Sequence, residues 1–257
     1  MADYQFNPEL ARDRLVAKIR DFVHGAGASR VVLGISGGKD STVAAALCAR
    51  ALGRENVYGI MMPDGVQKDI ADSMRVCRSV GINCRIININ EMHNALLKAV
   101  DAGSNGEIDD YPVPFSDESN VNVGPRLRMT ALRYVAQAIG AFLCGTGNLS
   151  EATVGYCTKD GDTSCDFNPL GTLTSVEVVQ MGLTMAELPR ELVQKTPDDG
   201  LSGVPDEVKL GITYRQIHDF LRLGTSGDPA IDEKIAKREK ANMHKRRMPT
   251  ILDAWTD

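Results

Sequence analysis

The sequence predicts an α/β fold, in which a doubly wound parallel sheet carries helices on both faces. Short apolar runs typical of buried strands alternate along the chain with segments that repeat apolar residues at helical spacing. Such alternation is typical of a parallel sheet, because each pair of parallel strands needs a crossover connection. At residues 31–52 one apolar run passes through two glycines directly into a helical pattern. A chain of 257 residues is long enough for one large domain of this kind.

The individual elements follow from these patterns in order. Four strands are predicted where apolar and β-branched residues cluster, at residues 31–35, 57–61, 84–89 and 141–145. Six helices are predicted from helical spacing, at residues 42–52, 69–80, 92–100, 125–140, 214–221 and 231–245. Pro125 and Gly140 suit the start and the end of the fourth helix.

Three polar stretches fall outside this scheme, at residues 101–120, 155–171 and 196–209. The first is long for a connection, and loops of that length are usually functional or disordered. The second is rich in Gly, Asp and Cys, and the third is acidic with Gly and Pro. We predict that the third is a mobile loop.

Composition excludes several classes of protein. The net charge of −5 disfavours a nucleic-acid partner. No apolar run is long enough to span a membrane, and the first residues lack the apolar core of a signal peptide. The six cysteines show no C-x-x-C spacing, which argues against a zinc site. We therefore expect reduced thiols in a cytoplasmic protein that binds neither nucleic acid nor membrane.

The segment SGGKDS at residues 36–41 is typical of a phosphate site. Glycines let backbone N–H groups turn towards an anion, and a helix N-terminus adds partial positive charge. A Walker A loop is excluded because Asp40 follows Lys39, and the G-x-G-x-x-G spacing is absent. The alternative is a tight turn whose polar residues only cap the helix. Asp40 would repel phosphate unless a cation lay between them, so the segment also indicates a metal.

This segment resembles the pyrophosphate-binding loop of the N-type ATP pyrophosphatases, which cleave ATP between the α and β phosphates. Four later segments are similar to those of one family in that superfamily, the NAD synthetases, and they occur in the family's order. They are NVGPRLRM at 122–129, GTGNLSEATVGYCTKDGD at 145–162, KTPDDGL and DEVKLGITY between 195 and 214, and HKRRMP at 244–249.

The resemblance implies an adenine nucleotide alpha hydrolase-like fold and one NAD synthetase domain over residues 1–257. Within it we expect an ATP pyrophosphatase core at about 20–190, a lid loop at 195–210 and a helical tail at 213–257.

Roles for matching residues follow from the same resemblance. Asp40 and Glu151 would hold Mg²⁺, and Asp162 would be the catalytic residue beside the reacting centre. The ATP-binding residues would be Gly34, Ile35, Ser36, Gly37, Gly38, Lys39, Asp40, Ser41, Thr146 and Thr196. The residues for the second substrate would be Arg126, Lys159, Asp166, His244 and Lys245.

Three of these assignments have a plainer alternative. Glu151 and Arg126 could be solvated residues in the first turn of a helix, and the basic tail could be a solvated helix end. One position departs from the family pattern, since Ser175 stands where some NAD synthetases carry a lysine after Leu-Thr. Which lysine replaces it stays open among Lys39, Lys195 and Lys209.

The resemblance implies an ATP-dependent ligase that amidates deamido-NAD to NAD through an acyl adenylate and releases AMP and pyrophosphate. Only 30 residues precede Val31, too few for a glutaminase domain, so we expect ammonia as the nitrogen source. A homodimer is also implied, with Leu127 and Tyr134 available for a second apolar contact. The alternatives are another adenylating enzyme, such as a tRNA-modifying ligase, and a nucleotide sensor without turnover.

Overall fold

The computed structural model describes residues 4–67, 69–101, 116–197 and 204–247. Its sheet confirms the predicted fold class, since four strands run parallel in the order β3-β2-β1-β4. The strands are β1 (Arg30–Gly34), β2 (Val57–Met61), β3 (Asn83–Ile86) and β4 (Ala141–Leu143).

Helices surround this sheet. The described ranges contain the α-helices α1 (Pro8–Gly25), α2 (Lys39–Leu52), α3 (Ile70–Val80), α4 (Asn90–Asp101), α5 (Asp117–Ile139), α6 (Leu149–Val154), α7 (Ser175–Gly182), α8 (Arg190–Val193), α9 (Asp206–Leu210), α10 (Tyr214–Leu223) and α11 (Pro229–Asn242). Two 3₁₀ turns, Arg54–Asn56 and Met243–Arg246, complete the regular structure of these ranges.

The two faces of the sheet bury separate apolar cores. Neighbouring residues of β1 point to opposite faces, and Val31, Val32 and Leu33 are all fully buried. Val31 and Leu33 belong to the core shared with α1, α2, α3 and α7, whereas Val32 belongs to the core that α5 covers. Because helices cover both faces, the sheet is doubly wound as predicted.

The strand order creates a crevice at the carboxyl edge of the sheet. The chain passes from β1 to β2 on one side of β1, whereas β4 lies on the other side. The loops that follow β1 and β4 therefore leave in different directions, and open α/β sheets bind ligands at such a switch point. Residues 36–41 and 145–151 both start from this edge.

The start predicted for the fourth helix is wrong. Helix α5 begins at Asp117, where Ser116 and Ser119 form a reciprocal capping box, and Pro125 lies inside the helix. The missing N–H of Pro125 removes one intrahelical bond without ending the helix. The loop predicted at 101–120 is therefore helical from residue 117, and its residues 102–115 lie outside the described ranges.

The edge strand β3 is shorter than predicted, although its pairing pattern continues. The strand ends at Ile86, yet Ile87 and Ile89 donate hydrogen bonds to the carbonyls of Met61 and Pro63 at 2.9 Å. All four residues of β3 are exposed, as expected where no further described strand covers the edge.

Several other helices differ from the prediction. Helices α1, α6, α7 and α8 lie in segments for which no helix was predicted. Helix α9 begins inside the loop predicted at 196–209, of which residues 198–203 lie outside the described ranges. Residues 155–171 contain no helix or strand, as predicted, apart from one isolated bridge between Phe167 and Cys144.

The C-terminal helices pack on the loop side of the sheet through a third core. Val154 of α6 contacts this cluster, which also contains Leu210, Tyr214, Ile217 and Ile235. The tail is therefore held beside the segment that follows β4. No helix in the described ranges is long and apolar enough to cross a membrane.

Candidate active site

The loop after β1 adopts the conformation that its glycines predict. Gly37 has a φ of +82°, and a Cβ there would lie 3.0 Å from the backbone nitrogen of Ser73 on α3. A larger residue would therefore be strained and would push α3 away. Two helix N-termini, those of α2 and α3, converge on this loop.

The N-terminus of α2 has no side-chain cap. Gly38 is its N-cap residue, and the first intrahelical bond runs from the Thr42 N–H to the Gly38 carbonyl at 3.1 Å. The N–H groups of Lys39, Asp40 and Ser41 precede that bond, so the helix itself provides no acceptor for them. This end of α2 is suited to bind an anion.

Hydroxyl groups fix the loop from within. The Ser36 N–H donates to Ser41 Oγ at 3.3 Å, and the two serine oxygens lie 3.1 Å apart. Ser41 and Thr42 donate to the Gly38 carbonyl at 3.1 and 2.7 Å. The Gly38 N–H donates to Ser36 Oγ at 3.2 Å. These bonds set the loop shape before any ligand arrives.

Asn148 joins the two carboxylates that were predicted to hold a metal. Its side-chain nitrogen donates to Asp40 Oδ1 at 3.1 Å, across the crevice. Its backbone N–H donates to Glu151 Oε2 at 3.0 Å, and its Oδ1 accepts from the Glu151 N–H at 3.1 Å. Asn148 is only 1% exposed, so this arrangement is rigid. The capping box of α6 is thus also the link between the loops after β1 and β4.

The charge on Glu151 is poorly compensated. Burial, followed by repulsion from Asp40, raises the pKa of Glu151 to about 8, and Lys39 only partly opposes this shift. Asp162 adds a further repulsion, which shows that it belongs to the same electrostatic cluster. Carboxylates that repel each other in this way favour a bound proton or a bound cation.

Lys39 points into the protein rather than out of the loop. It is 4% exposed, and its Nζ lies 2.6 Å from Asp40 Oδ2. The same ammonium lies 5.2 Å from the ring centroid of Tyr214, whose hydroxyl donates to Asp206 Oδ2 at 3.1 Å. Burial lowers the pKa of Lys39, but Asp40 and Glu151 outweigh it, so the net shift is upwards.

The N-terminal half of α5 contacts the loop at 155–171. Arg126 is exposed, and its Nε donates to the carbonyl of Lys159 at 3.3 Å. Thr158 donates from its hydroxyl to Asn122 at 2.7 Å and from its N–H to Asp162 Oδ1 at 2.7 Å. Arg126, Lys159 and Asp162 therefore belong to one joined surface.

The C-terminal tail reaches the same region. Lys245 donates to the carbonyls of Gly155 and Cys157, both at 2.9 Å, and it interacts electrostatically with Asp162. His244 is exposed, and its Nδ1 lies 3.1 Å from the carbonyl of Ala241 in its own helix. These contacts bring Lys245 to the loop at 155–171, whereas His244 Nδ1 lies beside the end of α11.

Three other predicted residues are less closely joined to this cluster. Asp166 accepts the Leu143 N–H at 2.7 Å and forms an ion pair with Arg133, so its carboxylate stabilises the end of β4. Thr146 is half-buried between β4 and Asn148. Thr196 is exposed in the segment that follows α8.

The structure shows the surroundings of Ser175 and of two of the three lysines considered in its place. Ser175 is buried, and its N–H donates to Ser150 Oγ at 3.1 Å. Lys195 forms ion pairs with Asp69 and Asp72 of the α3 start, both at 2.8 Å. Lys39 and Lys195 therefore both have carboxylate partners.

Sequence reasoning assigned no role to Asn148, Asp206 or Tyr214. The N-x-x-E spacing from Asn148 to Glu151 is a local signal of a capping box and could have been recognised. Tyr214 and Lys39 are far apart in the chain, so no local sequence pattern predicts their contact.

The described residues contain no group of three or more His, Cys, Asp or Glu side chains that could hold a metal by itself. Asp40 and Glu151 alone would supply a bound cation with two carboxylate groups. Mg²⁺ is commonly bound in this way, by one or two carboxylates together with substrate phosphates.

A phosphate loop at a switch point, with paired acids beside it, defines the class of nucleotide-using α/β enzymes. The NAD synthase family model matches residues 11–249, and the chain belongs to that family. The family makes NAD from deamido-NAD with ATP, and its ammonia-dependent members are ligases, so the predicted family and activity are confirmed.

The relatives support the same assignment. The NH(3)-dependent NAD(+) synthetase of Archaeoglobus fulgidus is 36% identical, over 93% of this chain and 96% of that protein. That of Methanocaldococcus jannaschii is 35% identical, over 92% and 94%.

Two solved structures are similar over nearly the whole chain. An NMN synthetase from Francisella tularensis has a TM-score of 0.87 and 28% identity, covering 97% of this chain and all of that one. An NH3-dependent NAD synthetase from Campylobacter jejuni has a TM-score of 0.76 and 27% identity, with the same coverage.

Proposed function

We propose that this chain forms NAD from deamido-NAD, ATP and ammonia in the crevice between the ends of β1 and β4. The observation that carries the proposal is the Asn148 bridge, which holds Asp40 and Glu151 beside an uncapped helix N-terminus. The anion-binding loop would hold the phosphates of ATP, and the acids would approach those phosphates only through a cation.

Mg²⁺ fits this site. The raised pKa of Glu151 indicates a carboxylate pair that lacks positive charge, and oxygen ligands suit this ion. Asp40 and Glu151 would hold it together with phosphate oxygens. When bound, Mg²⁺ would neutralise charge that builds up on the leaving pyrophosphate.

The reaction needs no protein nucleophile. The pyridine carboxylate of deamido-NAD would attack the α-phosphorus, and pyrophosphate would leave towards the N–H groups at residues 36–41. Ammonia would then attack the carbonyl of the acyl adenylate, lose a proton, and displace AMP. The fixed loop and the helix N-terminus would stabilise the charges of this sequence by position alone.

The second substrate would lie on the surface that joins α5, the loop at 155–171 and the tail. Arg126, Lys159 and Lys245 would supply positive charge there, and Asp162 would lie near the reacting carbonyl. The shared contacts of these residues support this grouping. Roles for His244, Asp166, Thr146 and Thr196 stay predictions, as does closure of a lid at 195–210.

We also propose a homodimer that uses α4 and α5. Tyr134 is 77% exposed and Val121 is 54% exposed on α5, while Leu96 and Val100 are exposed on α4. A second copy would cover this apolar surface. Leu127 is half-buried against the core beneath α5, so Tyr134 would make the larger contribution to this surface.

The cysteines and the net charge support two further parts of this proposal, the location of the enzyme and the nature of its substrates. The six cysteines are all unpaired, which suits an enzyme that acts in the cytoplasm. The net charge of −5 supports small-molecule substrates rather than a nucleic-acid partner.

One structural similarity favours a second candidate substrate. The NMN synthetase from Francisella tularensis has a higher TM-score, 0.87, than the NAD synthetase from Campylobacter jejuni, 0.76. The same chemistry on the corresponding mononucleotide carboxylate would give NMN.

The deciding experiment offers both carboxylates in competition to the pure chain, with ATP, Mg²⁺ and ammonium. Mass spectrometry should show NAD, AMP and pyrophosphate in equal amounts. Predominant NMN would favour the second candidate. ADP and inorganic phosphate would reject cleavage between the α and β phosphates, and efficient use of glutamine by the pure chain would reject ammonia as the direct nitrogen source.

A further inference from the structure

We infer that Lys39 is a resident counter-ion of the acidic pair, which a divalent cation must displace from Asp40. This inference rests on the proposed function in one respect, namely that Asp40 and Glu151 are the metal-binding acids. It assigns Lys39 a role different from a direct contact with ATP.

The direction of the Lys39 side chain is the first observation. A lysine that serves phosphate would extend towards solvent from the loop, but Lys39 is 4% exposed and its ammonium lies 2.6 Å from Asp40 Oδ2. One oxygen of Asp40 is therefore occupied by Lys39 and the other by Asn148. Two positive charges on one carboxylate oxygen repel each other, so a metal that binds Oδ2 would push the Lys39 ammonium away from it, whereas Asn148 could keep its bond to Oδ1.

The charge of the cluster is the second observation. Lys39 interacts electrostatically with Asp40, Glu151 and Asp206. Lys39 thus already supplies positive charge to the two acids that would hold the metal. An ammonium a few ångströms from the metal opposes its binding, so Lys39 raises the Mg²⁺ concentration at which the site is half-occupied.

The third observation is a place that can retain the displaced ammonium. The Tyr214 ring lies 5.2 Å from Nζ, which is within cation–π range, and the Tyr214 hydroxyl bonds Asp206. Asp206 begins α9 within the last part of the predicted lid, and Tyr214 begins α10 directly after it. Metal binding at Asp40 would thus shift Lys39 towards the segment that borders the lid.

The test measures metal affinity rather than turnover. Mn²⁺ is titrated by electron paramagnetic resonance into the full chain in the presence of α,β-methylene-ATP, which is not cleaved between its α and β phosphates. Lys39→Met, which keeps the length of the side chain, should bind Mn²⁺ about tenfold more tightly because the competing charge is gone. Lys39→Arg should retain the wild-type affinity.

Matched variants separate the possible outcomes. Asp40→Asn should bind Mn²⁺ much more weakly, and an unchanged affinity in that variant would reject the metal site itself. If Asp40→Asn weakens binding while Lys39→Met binds as the wild type or more weakly, the metal site stands and the counter-ion role is wrong. Lys39→Gln provides the same comparison if the methionine variant does not fold.

A second experiment tests the contact between Lys39 and Tyr214 independently of metal affinity. Hydrogen exchange of residues 206–214 should slow when Mn²⁺ and the ATP analogue bind to the wild type. The same ligands should slow this exchange less in Lys39→Met. Tyr214→Phe keeps the ring and should behave as the wild type, whereas Tyr214→Leu should lose the response. An equal response in all variants would overturn the link to α9 and α10.

Discussion

The buried ion pair between Glu177 and Arg222 allows a prediction whose size follows from the structure. Glu177 lies in the first turn of α7 and is 1% exposed, while Arg222 lies in the last turn of α10 and is 23% exposed. Arg222 donates from Nε to Oε1 and from Nη2 to Oε2, both at 2.7 Å, and it also bonds the Thr172 carbonyl at 2.8 Å. This bidentate pair attaches the C-terminal helices to the sheet core.

Arg222→Met removes the only positive charge known to contact this carboxylate in the described ranges. Breaking a buried pair from one side costs about 3–5 kcal/mol, because the remaining charge is uncompensated. The Thr174 N–H at 2.7 Å and the Tyr4 hydroxyl remain as donors. We therefore expect a loss near the lower end, about 3 kcal/mol, in the free energy of unfolding.

Urea unfolding, followed by circular dichroism, measures this loss. The control is Arg215→Met on the same helix, because Arg215 pairs with Asp219 at i,i+4 and is 69% exposed, so about 0.5 kcal/mol or less is expected. The double variant Glu177→Met with Arg222→Met should recover much of the loss. If Arg222→Met is no more destabilised than the control, the ion pair does not stabilise the fold as argued.

Four further predictions concern the acidic pair, the C-terminal tail and the proposed dimer interface. Asn148→Ala should reduce pyrophosphate release at least about tenfold, since Asp40 and Glu151 lose their common donor; unchanged release at low Mg²⁺ would contradict the positioning role. Gly155→Ala should raise the KM for the second substrate and leave that for ATP unchanged, because a Cβ there would clash with the side chain of Asn242 and displace the tail; equal effects on both KM values would argue against a local change. Tyr134→Glu should convert a dimer into a monomer in light scattering, and a wild type that is already monomeric would reject the proposed interface. In metal-free buffer the free energy of unfolding should fall as pH rises from about 4.5 to about 8, because the folded protein keeps a proton on Glu151 that the unfolded chain releases; Glu151→Gln should flatten this dependence, and an equal slope in both proteins would assign it to other groups.

The phosphate loop and the sheet could be predicted because their signals are local. The buried run of β1, the glycines after it and the Ala-rich helix α2 are contiguous in the sequence, and each has one favourable conformation. The start of α5 was predicted wrongly, because the capping box of Ser116 and Ser119 begins the helix upstream of Pro125. A proline marks a helix start only if no stronger cap lies upstream.

The conformation of Lys39 could not be predicted from local sequence. Its direction depends on Tyr214 and Asp206, which the chain brings near only after α9 and α10 have packed on α6. The loop motif alone suggests a lysine that faces phosphate. Tertiary packing instead supplies a carboxylate and an aromatic ring on the inner side, where a buried ammonium is stabilised.

The arrangement of charges explains why the site needs two loops rather than one. A phosphate loop by itself attracts anions, and an acid within it works against that attraction. Asp40 is acceptable because Lys39 balances it from inside and Asn148 orients it from the loop after β4. Glu151, held by the same Asn148, makes the balance incomplete, as its raised pKa shows. The two acids are therefore only partly neutralised by the groups around them. A metal–nucleotide complex can supply the missing positive charge.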